Sequence, residues 1–126
     1  VVRFSGIYGP ERSRLLDTVR TGQAKFLLND FYTNRIHRDD CAALLAHLAV
    51  QGKTGEIYIG SDSNPTSHNQ ILTWLAARYQ VGLATEEKPG QRTHGSHKKL
   101  SNKKILSTGY RFIYPTFVGM TTQDKV

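Results

Sequence analysis

The sequence has almost no cysteine, no long hydrophobic run and no initiator methionine. Cys41 is the single cysteine among 126 residues, so an internal disulfide bond is excluded and we expect a reducing, cytoplasmic location. No segment approaches the roughly 20 apolar residues that a membrane-spanning helix needs, and we expect no signal peptide. Because the chain opens directly on a strand-like segment, we expect a piece of a longer protein or a trimmed chain.

The common catalytic motifs are also missing from the sequence. It contains no G-x-G-x-x-G or Walker phosphate loop, no Tyr-x-x-x-Lys pair and no G-x-S-x-G elbow. His94 and His97 lie in a Gly-Ser loop with no cysteine or carboxylate nearby, so we expect no metal site. Capping of a helix explains Asp39 and Asp40 better than acid–base chemistry does. We therefore expect no catalytic residue and no metal ligand in this chain.

Acidic residues are absent from 88–104, which holds six of the lysines and arginines that give the chain its net charge of +7. This stretch could be a solvated loop or a patch that binds an anionic partner. With the aromatic residues of 110–117, which could stack on bases, it supports an alternative in which the chain binds nucleic acid. We favour a flexible loop over 82–98 and aromatic residues that pack on the core, and so expect no nucleic-acid partner.

The hydrophobic pattern predicts strands that alternate with helices. Such alternation indicates an α/β fold with parallel strands. The predicted strands cover 1–5, 25–28 and 56–60, and the predicted helices cover 11–20, 40–50, 67–79 and 102–106. A turn is expected at 6–10, and Ser67 with Gln70 forms a capping box for the third helix.

An extended segment leads directly into the helix of 40–50. In an extended segment Thr33, Arg35 and His37 point to one face, and either Asp39 or Asp40 is suited to cap the helix. The apolar stripe of this helix comprises Cys41, Leu44, Leu45 and Leu48. Because the helix anchors the segment before it, the polar side chains of that segment are well placed to face a substrate.

Four segments, in this order, resemble the extended short-chain dehydrogenases/reductases of the NAD-dependent epimerase/dehydratase type. They are 2–10 (VRFSGIYGP), 34–42 (NRIHRDDCA), 56–60 (EIYIG) with the capped helix that follows, and 102–110 (NKKILSTGY) with 114–115 (YP). The resemblance covers the whole of 1–126 except the predicted loop of 82–98. It implies the C-terminal portion of a Rossmann-like, doubly wound parallel sheet with a small substrate-binding lobe, and an N-terminal dinucleotide-binding part that is absent from this chain.

The resemblance also implies roles for individual residues. Phe4 and Ser5 would end a strand beside the nicotinamide of NAD or NADP, which the missing part would mainly bind. Tyr8 and Arg12 would face the substrate cleft, although Arg12 could equally lie along the core edge with its charge in solvent. The remaining substrate-binding candidates are Thr33, Arg35 and His37.

The chain departs from the family at Thr33. Family members that act on nucleotide sugars usually carry an arginine there, which grips the diphosphate. Arg35 could replace it from the same strand face, or could instead pair with Asp39 or Asp40.

The leading interpretation is the substrate-binding part of an NAD(P)-dependent epimerase, dehydratase or reductase. By analogy, it would act by hydride transfer on a sugar-like or other hydroxyl- or carbonyl-bearing small molecule, and this chain alone would be inactive. The alternatives are the nucleic-acid-binding domain and a non-catalytic remnant of the same fold. A homodimer is compatible with the resemblance, no membrane partner is expected, and we expect an exposed apolar edge around Val2, Phe4, Ile57 and Ile59.

Overall fold

A computed structural model describes residues 1–10, 14–89 and 98–117 of the chain. The described strands are β1 (Val2–Phe4), β2 (Gly6–Tyr8), β3 (Lys25–Phe26), β4 (Tyr32–Thr33), β5 (Arg35–His37), β6 (Tyr58–Gly60), β7 (Thr66–Ser67) and β8 (Ala84–Thr85). The described helices are α1 (Arg14–Arg20), α2 (Arg38–Gln51), α3 (His68–Tyr79) and α4 (Lys103–Leu106). The chain divides into two compact units. Unit 1 contains 1–12, 34–65 and 99–126, and unit 2 contains 13–33 and 66–98.

Unit 1 is built on two pairs of parallel strands. In the first pair, β1 lies beside β6 with Val2 opposite Tyr58 and Phe4 opposite Gly60. In the second pair, β2 lies beside β5 with Tyr8 opposite His37. Helix α2 starts directly after β5 and leads to β6, so it connects the second strand pair to the first. The parallel pairs confirm the predicted α/β class.

Apolar side chains from α2, β5, β6 and α4 form the core of unit 1. The buried members are Ile36, Cys41, Leu44, Leu48, Tyr58, Ile105 and Tyr110. Val2 and Phe4 of β1 were expected at an exposed apolar edge, but they are partly buried and pack against this core. Ile57, at the same expected edge, is 45% exposed. Cys41 is buried, in agreement with the prediction that it is a core residue.

Unit 2 is a pair of helices with two short strand pairs. Helix α1 packs against α3, and the buried residues of the two helices are Leu16, Val19, Ile71, Leu72 and Leu75. Strand β3 pairs in parallel with β8, and β4 pairs antiparallel with β7. The predicted capping box is confirmed, because the Ser67 side chain accepts from the Gln70 N–H and the Gln70 side chain accepts from the Ser67 N–H.

Two predictions for short segments were wrong. Residues 6–10 were expected to form a turn, but 6–8 form β2. This segment has no strand signal of its own, and it becomes a strand because pairing with β5 satisfies the hydrogen-bonding groups of its main chain. The expected loop of 82–98 contains β8 at its start, for the same reason. Residues 90–97, which include His94 and His97, lie outside the described part of the chain.

The start of α2 also differs from the expectation. The helix begins at Arg38, and its N-cap is His37 rather than Asp39 or Asp40. Leu45 was predicted to lie on the buried stripe, but it is 50% exposed. The buried face of α2 includes Asp40, and it is therefore rotated away from Leu45. Among the described residues, no helix has the length and apolar character required to cross a membrane.

Candidate functional site

The four described strands of unit 1 bring together a group of polar residues, most of them at the carboxyl ends of the strands. Ser5 follows β1, Tyr8 and His37 end β2 and β5, and Asp62 lies two residues after β6. Arg35 is the first residue of β5. Sites at the carboxyl ends of parallel strands are the rule for open α/β sheets. We refer to Ser5, Tyr8, Arg35, His37 and Asp62 as the polar cluster.

Ser5 joins β1 to the end of β6 through main-chain and side-chain hydrogen bonds. Its N–H donates to the carbonyl oxygen of Gly60 at 2.9 Å. Its hydroxyl lies 3.1 Å from the same oxygen and 3.2 Å from the hydroxyl of Ser61. The preceding ring, that of Phe4, lies against Gly60, where an added Cβ would overlap it. Phe4 is therefore packed against the core, and its predicted contact with a cofactor remains a prediction.

Tyr8 is buried with its hydroxyl unsatisfied. The side chain is 8% exposed, and its ring contacts those of His37 and Phe117 at centroid distances of 5.3 and 5.1 Å. Among the residues that the structure describes, none forms a hydrogen bond with the Tyr8 hydroxyl. Burial and the nearby Asp62 carboxylate raise the pKa of Tyr8, which keeps the phenol protonated as a hydrogen-bond donor.

His37 has a clear structural role. The ring is fully buried and stacks on Tyr114 at a centroid distance of 4.0 Å. Its Nδ1 accepts a hydrogen bond from the Asp39 N–H at 3.0 Å, which caps α2 and places the ring proton on Nε2 of the neutral imidazole. The role in substrate binding that the resemblance implies for His37 remains a prediction.

Arg35 and Asp62 are the charged members of the polar cluster. The N–H of Asp62 donates to the carbonyl oxygen of Arg35 at 2.7 Å, and the Arg35 guanidinium lies over the Phe117 ring at 5.2 Å. Burial lowers the pKa of Arg35, and the Asp62 carboxylate partly opposes this shift. The carboxylate of Asp62 is thus close enough for its charge to act on Arg35.

Asp62 was missed in the sequence, where it reads as part of a polar turn. It is 1% exposed, and its Oδ1 accepts from the Asn64 N–H at 2.9 Å. Its Oδ2 is buried and has no hydrogen-bond partner among the described residues. Burial raises its pKa to about 6 against the opposing effects of the Asn64 N–H and Arg35. Its place just after a confident strand, EIYIG, is the signal that could have found it.

Asp40 anchors the C-terminal aromatic segment rather than a ligand. The fully buried carboxylate accepts hydrogen bonds from the Tyr110 hydroxyl at 2.6 Å and from the N–H groups of Ile113 and Tyr114 at 2.8 and 2.9 Å. Tyr110, Tyr114 and Phe117 are all at most 8% exposed. These three rings pack on the core, as predicted, and they are not free to stack on bases.

Besides Phe4, two of the predicted site residues lie outside the polar cluster. Thr33 belongs to unit 2, where its hydroxyl donates to the carbonyl oxygen of Thr66 at 2.6 Å. Arg12 lies outside the described residues. The structure thus brings Ser5, Tyr8, Arg35 and His37 together in unit 1, and the proposed ligand contacts of all these residues remain predictions.

The described residues offer polar groups that fit one end of a nicotinamide cofactor but no metal centre. No group of three histidine, cysteine, aspartate or glutamate residues that could hold a metal ion occurs within 1–10, 14–89 and 98–117. Ser5 is partly exposed, and its hydroxyl and carbonyl oxygen can bond to an amide such as the nicotinamide carboxamide. No Gly-rich phosphate loop is present in the sequence, so these residues could contact only part of a dinucleotide.

Comparison with solved structures identifies the family. A protein from Methylobacillus flagellatus, described as an NAD-dependent epimerase/dehydratase, is 38% identical over 96% of this chain, with a TM-score of 0.78. A conserved protein of unknown function from Silicibacter pomeroyi DSS is 24% identical over 99% of the chain, with a TM-score of 0.84. The human epimerase family protein SDR39U1, solved with NADPH, is 18% identical over 95%, with a TM-score of 0.76.

The chain spans 44, 48 and 45% of these three proteins, which is less than half of each. No protein-family model matches the sequence, and no curated protein matches it. The family resemblance of the four segments is confirmed by the extent of the structural match and by the 38% identity. The chain is the C-terminal part of an extended short-chain dehydrogenase/reductase of the NAD-dependent epimerase/dehydratase family, which uses NAD or NADP.

Proposed function

We propose that this chain forms the substrate-binding part of an NAD(P)-dependent epimerase, dehydratase or reductase that acts on a hydroxyl- or carbonyl-bearing small molecule. The observation that carries the proposal is the polar cluster itself. Four polar or charged residues close two parallel strand pairs at their carboxyl ends, and Tyr8 and Asp62 retain unsatisfied hydrogen-bonding atoms there. Buried polar groups are normally satisfied, so these two atoms can hydrogen-bond a bound substrate.

The bound dinucleotide would supply hydride transfer, and the residues of this chain would bind and orient the substrate. The protonated Tyr8 hydroxyl donates a hydrogen bond, which suits a substrate oxygen. The His37 ring, fixed by stacking and capping, holds the Tyr8 ring in place through their edge-to-face contact. Positioning of this kind is a large part of catalysis, because it removes the entropy cost of aligning the reacting groups. The catalytic tyrosine and lysine of the family would lie outside this chain.

The nucleic-acid alternative gains no support from the described residues. Three of its four aromatic residues are buried, and Lys104 of the basic segment forms an ion pair with Glu56. The third interpretation, a non-catalytic remnant of the fold, is decided by the assay below.

The test compares two tyrosine variants in the complete protein encoded by the reading frame that carries this chain. Tyr8→Phe removes a hydroxyl that has no partner among the described residues, whereas Tyr110→Phe removes one that donates to Asp40. We expect Tyr8→Phe to fold with at least wild-type stability and to lower kcat/KM by roughly tenfold, the loss of about one hydrogen bond. The assay follows absorbance of the reduced nicotinamide with a panel of sugars and other alcohols.

The Tyr110→Phe variant serves as the matched control. It should lose stability by about 1–3 kcal/mol, because it breaks a hydrogen bond to a buried carboxylate, and the folded fraction should keep wild-type kcat/KM. A Tyr8→Phe protein with unchanged turnover would remove Tyr8 from the substrate site. A complete wild-type protein that neither binds the dinucleotide nor turns over any member of the panel would favour the non-catalytic remnant.

A further inference from the structure

Three residues of the polar cluster combine a cation, an anion and a neutral donor. Arg35 supplies the positive charge, Asp62 the negative charge and Tyr8 the protonated phenol. Main-chain hydrogen bonding links Asp62 to Arg35, and the Phe117 ring contacts both the Arg35 guanidinium and the Tyr8 ring. The three side chains therefore occupy one small region of unit 1, and their formal charges sum to zero when Asp62 is ionised.

Two atoms of this group, the Tyr8 hydroxyl oxygen and the Asp62 Oδ2, have no hydrogen-bond partner among the described residues and are complementary. The Tyr8 hydroxyl can donate a hydrogen bond, and the Asp62 Oδ2 can accept one. An alcohol group accepts and donates at once, so it could satisfy both, whereas a phosphate has only acceptor oxygens and a negative charge that the Asp62 carboxylate repels. The partly exposed Ser5 and Arg35 and the exposed Gly6 border the buried residues, which gives the group an edge at the surface.

We propose that Asp62 is a specificity-determining residue whose carboxylate offsets the charge of Arg35, so that the site binds an uncharged, hydroxyl-bearing part of the substrate in preference to a phosphorylated one. This inference rests on the proposed function in taking the polar cluster as the substrate site. It adds a residue, Asp62, and a chemical class of substrate. It also makes Arg35 a cation whose charge is balanced by Asp62, rather than a phosphate-binding residue.

The experiment measures the binding of inorganic pyrophosphate by calorimetry to the complete protein and its variants at neutral pH. Asp62→Asn removes the negative charge and keeps an oxygen that can accept from the Asn64 N–H. We expect this variant to bind pyrophosphate roughly tenfold more tightly than the wild type, a change of about 1.4 kcal/mol. The double variant Asp62→Asn/Arg35→Gln should return to wild-type affinity. Pyrophosphate bound elsewhere on the protein is common to all variants and cancels in the comparison.

Two results would overturn the inference. One is an Asp62→Asn protein that binds pyrophosphate no more tightly than the wild type. The other is a gain in affinity that persists without Arg35. If Asp62→Asn does not fold, Asp62→Ser makes the same charge change with a smaller side chain. The readout is pyrophosphate binding, which needs no turnover. A protein without hydride-transfer activity would therefore contradict the proposed function, but the pyrophosphate affinities of the variants would still test this inference.

Discussion

At the residue scale, two adjacent aspartates that look equivalent in the sequence have different roles. Asp39 is half-exposed, near Arg38, whereas Asp40 is fully buried and accepts three hydrogen bonds from the C-terminal segment. A local pattern can identify a good capping residue, but it cannot show that a segment 70 residues later supplies donors to one of the two. The sequence therefore predicted the helix but neither its first residue nor its cap, and the role of Asp40 was predicted wrongly.

Replacing Asp40 by asparagine should be costly. The amide keeps one acceptor oxygen and brings an NH₂ group to face a main-chain N–H, so a buried donor loses its partner. We expect a loss of about 2–4 kcal/mol in the free energy of unfolding, measured by urea denaturation. The matched control is Asp39→Asn, which changes an exposed side chain and should cost less than about 0.5 kcal/mol. Equal effects of the two substitutions would show that the Asp40 hydrogen bonds do not hold the C-terminal segment.

Asp62 should make the stability of the protein depend on pH in an unusual direction. Its pKa of about 6 in the folded state lies above the ordinary value of 3.8, so the folded state binds the proton more tightly than the unfolded state does. This contribution to stability is present at low pH and is lost as pH rises from about 4 to about 6. The titratable and charged groups that affect it are Arg35, Tyr8 and Asp40.

The measurement compares wild type and Asp62→Asn at two pH values. At about pH 7.5 the variant should be more stable by about 1–3 kcal/mol, and at about pH 3.5 the two proteins should be nearly equal. A difference that does not change with pH would mean that Asp62 has no raised pKa. A residue that lowers stability at neutral pH is of the kind found at binding sites, where function and stability compete.

At the element scale, elements with signals of their own were predicted, including the short strands β1, β3 and β6, whereas β2 and β8 were not. The capping box and apolar stripe of α3 are local, so the sequence identifies them. By contrast, β2 has three residues, two of them exposed, and it exists because Arg35–His37 pairs with it. No window of sequence around 6–8 contains that information. The same reason explains why β8 was read as loop.

The β1–β6 pair offers a test of close packing between elements. An added Cβ at Gly60 would overlap the ring of Phe4, which must then move within a partly filled core. We expect Gly60→Ala to lower the free energy of unfolding by about 1–3 kcal/mol, the usual cost of overpacking. Gly82→Ala is the control, because nothing lies within 4 Å of its added Cβ, and it should change stability little. A stable Gly60→Ala protein would show that the Phe4 ring is free to turn away.

At the scale of the whole molecule, the order of four motifs predicted more than any one of them. The fold class and the family were predicted from the segments 2–10, 34–42, 56–60 and 102–115, and the solved structures confirm both. Ser5, Tyr8, Arg35 and His37 were also predicted to converge, and they lie in one unit. Asp62 was missed because a polar turn after a strand is usually solvated. Its burial depends on how β5 and β6 are brought together.

The central claim is that the carboxyl ends of the unit 1 strands form the substrate side of a nicotinamide-dependent site. Hydrogen–deuterium exchange of the complete protein, with and without saturating NAD or NADP, tests it most directly. We predict slower exchange on cofactor binding at 4–8, where β1 and β2 end, while the N–H groups of α3 in unit 2 stay unchanged. Cofactor binding that leaves the exchange of 4–8 unaltered, or that protects only α3, would contradict the claim.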